Sequence, residues 1–69
     1  MNPPTLTVNG ARRPLGRAAT LADLLQALGV SVAKMAVERN GEIVPPAAFA
    51  TTPVAADDVI EIIQFVGGG

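Results

Sequence analysis

Val59-Ile60-Glu61-Ile62-Ile63-Gln64-Phe65-Val66-Gly67-Gly68-Gly69 decides how the chain is read. From Val59 to about Phe65 the side chains follow the period of two that marks a β-strand. Ile60 and Ile62 point one way, and Glu61, Ile63 and Phe65 point the other. A strand packed against a single helix has one buried face. With Ile60 and Ile62 turned to the helix, Ile63 and Phe65, with Val66 beside them, lie on the open face. They form a candidate docking patch there. The strand runs directly into three glycines. They have no Cβ atoms, accept φ of either sign and make the thinnest possible polypeptide. Such a segment suits a carboxylate that must pass through a narrow channel into a partner's active site. Gly69 is therefore the candidate reacting residue, and Gly67 and Gly68 are the candidates for threading through backbone shape. A loose terminus looks similar; the strand leading straight into the glycines favours the functional reading. The division is a folded domain over 1–66 and a flexible tail over 67–69.

The upstream sequence supplies the elements such a strand needs. Thr5-Leu6-Thr7-Val8 alternates polar and apolar, and Asn9-Gly10 is the signal for a tight hairpin turn with φ > 0 at both central residues. The returning strand starts near Ala11 and runs to about Leu15. Pro14, lacking an N–H, places it at a sheet edge. Thr20-Leu21-Ala22-Asp23 has the form of a capping box with Asp in place of Glu. Leu21, Leu24, Leu25 and Leu28 share one helical face, and Gly29 stops the helix. Lys34 to Glu38 forms a further strand, with Met35 and Val37 on one face and Ala36 and Glu38 on the other. Asn40-Gly41 makes a second tight turn into Glu42-Ile43-Val44, which Pro45-Pro46 ends. Ala47 to Thr52 is irregular, with Phe49 as its large apolar group, placed to plug one end of the core. The order is ββαβββ. The first and last strands are expected side by side, parallel, at the centre of a mixed sheet with one helix on one face. That is an α+β fold of the β-grasp, or ubiquitin-like, arrangement. The expected core is Leu6, Val8, Leu24, Leu25, Leu28, Val37, Ile60 and Ile62.

Composition narrows the function. Sixty-nine residues make one domain, which buries only about 60% of its unfolded surface. With no Cys and no His there is no disulfide, no thiolate chemistry and no common zinc ligand set. No apolar run approaches the ~20 residues of a membrane span. Met1-Asn2-Pro3-Pro4 lacks the basic and apolar regions of a signal peptide, so a cytoplasmic location is expected. A net charge of −1 gives no drive toward nucleic acid or anionic membranes. Arg12, Arg13 and Arg17 form a mild basic cluster that reads as a solvated face. No pair of catalytic groups is evident, and the carboxylates read as turn, cap or surface groups.

Val37-x-x-Asn40-Gly41-Glu42-Ile43-Val44-Pro45, then Asp58-Val59-Ile60-Glu61-Ile62-Ile63, then Phe65-Val66-Gly67-Gly68 closely resembles the ThiS family, the sulfur carrier proteins of thiamine biosynthesis. The resemblance spans nearly the whole chain. It implies a carrier that is not itself an enzyme. Its C-terminal carboxylate, at Gly69, is adenylated by an E1-like adenylyltransferase using ATP and Mg²⁺. The carboxylate is then converted to a thiocarboxylate with sulfur from a donor enzyme, and the sulfur passes to thiazole synthase. The carrier holds no metal or cofactor of its own and is expected to be monomeric when free. Two positions depart from the family pattern. Ala56-Asp57-Asp58 replaces the usual Asp-Gly-Asp, with Asp57 where a glycine would take φ > 0, and Pro46 stands where Arg is frequent. Asp tolerates the left-handed conformation better than most residues, so the turn is expected to survive. The small subunit of molybdopterin synthase shares the implied fold and tail and is an alternative. A ubiquitin-like protein modifier and a plain interaction domain with an inert tail are others.

Overall fold

The computed structural model describes residues 3–31 and 35–64. The elements follow the expected order: β1 (Thr5–Val8), β2 (Ala11–Pro14), α1 (Leu21–Leu28), β3 (Met35–Arg39), β4 (Glu42–Val44), a single 3-10 turn at Pro46–Ala48, and β5 (Val59–Gln64). The five strands form one sheet in the order β2-β1-β5-β3-β4. β5 runs parallel to β1 and antiparallel to β3, so the last strand lies at the centre. β2, carrying Pro14, is an edge strand as its missing N–H requires.

Local chemistry explains the turns. Asn9 and Gly10 have φ of 50° and 83°, and Asn40 and Gly41 have φ of 52° and 85°. Both pairs therefore hold the left-handed values that a two-residue hairpin needs. Asp57 has φ of 69°, so the residue standing in the family's glycine position adopts the glycine conformation.

The short helix is tied at both ends. Thr20 Oγ1 accepts from the Asp23 N–H, and the Asp23 carboxylate accepts from the Ala19 and Thr20 N–H groups. The other early amides find partners in the chain before β5: Leu21 N–H donates to the Thr52 carbonyl and Ala22 N–H to the Phe49 carbonyl. With Leu24 N–H on the Thr20 carbonyl, the first turn leaves no orphan donor. Gly29, at φ 71°, closes the other end, where Val30 N–H reaches the Leu25 carbonyl.

The core lies between α1 and one face of the sheet. Leu6, Leu21, Leu25, Val37 and Ile60 are sealed from solvent, with Val8, Leu24, Met35, Val44, Phe49 and Val54 around them. Phe49 is buried in this core. Leu28 and Ile62 are half-buried against this core rather than inside it. The helix has eight residues, about 12 Å of length, and it ends at Leu28. Among the described residues no helix is long and apolar enough to cross a membrane.

Leu25→Ala should lower stability by about 2–5 kcal/mol, from lost transfer energy plus the cavity left behind. Gln26→Ala, next along the helix but exposed, should stay within about 0.5 kcal/mol. Denaturant unfolding of the two variants checks the pair.

Candidate functional site

The candidate site is the open face of the sheet and the end of β5 that leads toward the glycines. Register fixes which side chains share that face. Across β5 and β3, Ile63 stands opposite Ala36 and Glu61 opposite Glu38; across β3 and β4, Glu38 stands opposite Ile43. Val59 sits opposite Thr7 of β1, and Thr7 opposite Arg12 of β2. The intervening residues, Ile60, Val37 and Val44, are buried against the helix side. Ile63 is 47% exposed, as the alternation requires. Phe65, Val66, Gly67, Gly68 and Gly69 lie outside the described residues.

Two further apolar side chains belong to this face. Val59 is 45% exposed and Ile43 72% exposed. The same alternation that assigns Ile63 also assigns Val59, two residues from Glu61. Ile43 follows from Val44 being buried next to it in a three-residue strand. The basic cluster, in contrast, is split by the pleat. Arg12 is on the open side, donating to Thr5 Oγ1 at 2.9 Å and lying 3.5 Å from Asp57. Arg13 is opposite Leu6 on the helix side, where with Arg17 it borders an open groove of about 550 Å³ over Leu15, Leu24 and Leu28.

β5 is anchored by side chains at its start and again past its middle. Asp58, a turn residue on sequence grounds, is 7% exposed. Its carboxylate accepts from Arg39 Nε at 2.9 Å, Asn40 Nδ2 at 3.1 Å and the Ala55 N–H at 2.8 Å. Burial pushes the Asp58 carboxyl up; the bonds from Asn40, Ala55 and Arg39 outweigh it, and the group titrates below its ordinary 3.8. Asn40 Oδ1 in turn accepts from the Val59 N–H at 2.8 Å. Further along the strand Asn9 Oδ1 accepts from the Ile62 N–H at 2.7 Å. The two turn asparagines thus hydrogen-bond β5 at its first residue and at its fourth. No group of three or more His, Cys, Asp or Glu side chains converges among the described residues.

With this geometry the comparison with known proteins is direct. The ThiS family model matches residues 6–69. The chain belongs to the ThiS family. Solved members show the same architecture. The crystal structure of the thiamine biosynthesis protein ThiS from Geobacter metallireducens superposes with a TM-score of 0.79 at 40% identity, covering 94% of this chain and 99% of that one. The solution structure of a thiamine biosynthesis protein from the same organism gives 0.75, also at 40% identity, covering 94% and 87%. Curated relatives are longer. A thiazole synthase of Paramagnetospirillum magneticum is 45% identical over 64 residues, and one of Magnetococcus marinus is 37% identical over 62. These matches cover 93% and 90% of this chain, yet the chain spans only about a fifth of either protein, 20% and 19%.

The Asp58 network gives a pH dependence with a definite sign. A carboxyl depressed in the folded state contributes stability above its unfolded pKa and loses it as pH falls through the folded one. Asp23, lowered by the Ala19 and Thr20 amides, acts in the same direction. Stability should therefore fall as pH drops from the ordinary 3.8 to below it. Asp58→Asn should be less stable at neutral pH, by about 1–3 kcal/mol for the disrupted network, and should show a shallower acid loss. Melting curves from pH 7 to pH 2 compare the two slopes.

Proposed function

We propose that this chain is a sulfur carrier of thiamine biosynthesis, with the carboxylate of Gly69 as its reacting group. The observation that carries this reading is that the family match extends from Leu6 through the terminal glycines to Gly69. An E1-like enzyme binds the carrier and uses ATP with Mg²⁺. A carboxylate oxygen attacks the α-phosphorus, and pyrophosphate leaves. The carboxylate, a poor acyl donor, becomes an acyl-adenylate with a good leaving group. Hydrosulfide supplied by a donor enzyme attacks the acyl carbon, the acyl C–O bond to the phosphate breaks, and AMP departs with loss of the S–H proton. The resulting thiocarboxylate is a sulfur nucleophile whose delivery the protein controls, and thiazole synthase is the recipient. The thiazole synthases related to this chain, each holding a similar stretch inside a longer polypeptide, support that recipient. The carrier supplies no acid, base or metal to the chemistry. Its part is presentation: a central strand, an apolar docking patch at Ile63 that Phe65 and Val66 continue in sequence, and Gly67 and Gly68 to pass through the partner.

Intact-mass spectrometry of the protein from thiamine-starved cells tests the reading. A population ending at Gly69 with one terminal oxygen replaced by sulfur is expected. An unmodified mass only, with no ATP–pyrophosphate exchange by the E1-like enzyme, would count against it.

Two variants separate tail from patch. Gly68→Val restricts the backbone and widens the tail; melting should be unchanged and exchange severely reduced. Ile63→Glu sets a charge on the open face. It should melt within a few degrees of the parent and bind the activating enzyme at least about tenfold more weakly, as expected for a charge placed in an apolar contact. Calorimetric melting and titration read both.

A further inference from the structure

The open face holds an arrangement that the domain alone does not explain. Glu38 and Glu61 stand directly opposite one another on β3 and β5. Opposed side chains in such a pair have Cβ atoms roughly 4.5–5.5 Å apart, and like charges there are destabilising. None of the described arginines answers them. Arg12 is beside Asp57, Arg39 is bound to Asp58 on the other face, and Arg13 and Arg17 border the groove at the helix. Several of the nearest neighbours on this face are apolar. Val59 and Ile63 flank Glu61 along β5, Ala36 is next to Glu38 along β3, and Ile43 is opposite Glu38 on β4. Glu38 and Glu61 thus share this face with the exposed Val59, Ile63 and Ile43.

We propose that Glu38 and Glu61 together receive an arginine or lysine of the E1-like adenylating enzyme, set in an apolar surface that covers Val59, Ile63 and Ile43. The proposal rests on the carrier reading above and adds the chemistry of the contact. Charge selects the occupant. Nucleic acid and anionic bilayers are repelled by the pair. No third His, Cys, Asp or Glu side chain joins the pair among the described residues. The grooves along the helix, at Pro3–Pro4 and around Pro45 are lined by none of Glu38, Glu61, Val59 and Ile63, and an exposed strand face of this kind suits a broad protein surface better than a small molecule. A guanidinium can bridge two carboxylates with paired donors, and an arginine ringed by apolar contacts is a frequent centre of binding energy. Docking then relieves a repulsion that the undocked domain carries.

This predicts opposite signs for stability and affinity. Glu61→Gln and Glu38→Gln, made in the full chain, should each raise Tm by roughly 1–5 °C, as relief of a like-charge pair does in a domain of this size. Each should raise the KM for carrier by about tenfold in ATP–pyrophosphate exchange, using the E1-like enzyme purified from the same organism. The KM of the parent should climb with ionic strength, and that of the double variant should be nearly flat. Glu42→Gln, on β4 opposite Arg39 and so on the other face, should leave KM unchanged. If the parent is exchanged normally and the glutamine variants keep its KM, the docking proposal is overturned while the carrier reading stands. If the parent is not exchanged at all, the carrier reading fails and takes the proposal with it. A parent that sediments as a dimer, dissociated by Glu61→Gln, would assign the face to a second copy and overturn the proposal likewise.

Discussion

The pairing of β1 with β5 is the constraint on which the rest of the domain depends. It joins the first strand to the last, through Thr7 opposite Val59 and Val8 opposite Ile60, so everything between must fold back to let them meet. The ladder itself is short, and neighbouring groups lengthen it. Asp57 N–H donates to the Thr5 carbonyl at 2.7 Å, Thr7 N–H to the Asp58 carbonyl at 2.9 Å, and Asn9 N–H to the Ile60 carbonyl at 2.9 Å. The Asn9 side chain then takes the Ile62 N–H beyond the point where β1 has turned away. Ile60 and Leu6, on the helix side of this pair, are sealed from solvent. The segment that carries the glycines thus follows directly in sequence on the central strand of the sheet.

Much of this was legible in the sequence because the signals are local. Asn9-Gly10, Asn40-Gly41 and Gly29 announce backbone conformations that few other residues adopt, and the Thr20 to Asp23 spacing announces a helix start. Alternation along Val59 to Gln64 separates the buried from the open face without reference to any other element. Asp57, at a position where the family has glycine, took the expected left-handed conformation.

The rest depends on partners far away in sequence. Asp58 reads as one more turn carboxylate, and only the approach of Arg39 and Asn40, 19 and 18 residues earlier, makes it a buried hub. The segment from Ala47 to Thr52 looks irregular. Its carbonyls at Phe49 and Thr52 complete the helix start, and the side chains of Phe49 and of Val54, just beyond it, enter the core. Nor does periodicity say where cover runs out. Leu28 and Ile62 have the right spacing for the core, yet a helix of eight residues stops before enclosing them. In the candidate site, Ile63 was readable from its own strand, whereas the Glu38–Glu61 pairing needed the register between two strands.

The central place of β5 also has a mechanical consequence. A partner that draws the segment after Gln64 into its active site pulls on β5 along its length, against β1 on one side and β3 on the other. Hydrogen bonds between strands run across the strand direction. A lengthwise tug therefore loads many of them together in shear, instead of peeling them apart one at a time as it would for an edge strand such as β2. The asparagine clamps at Val59 and Ile62 add to the set that must fail at once. On the carrier reading proposed above, the sheet can thus yield its end to an enzyme repeatedly and keep its own shape.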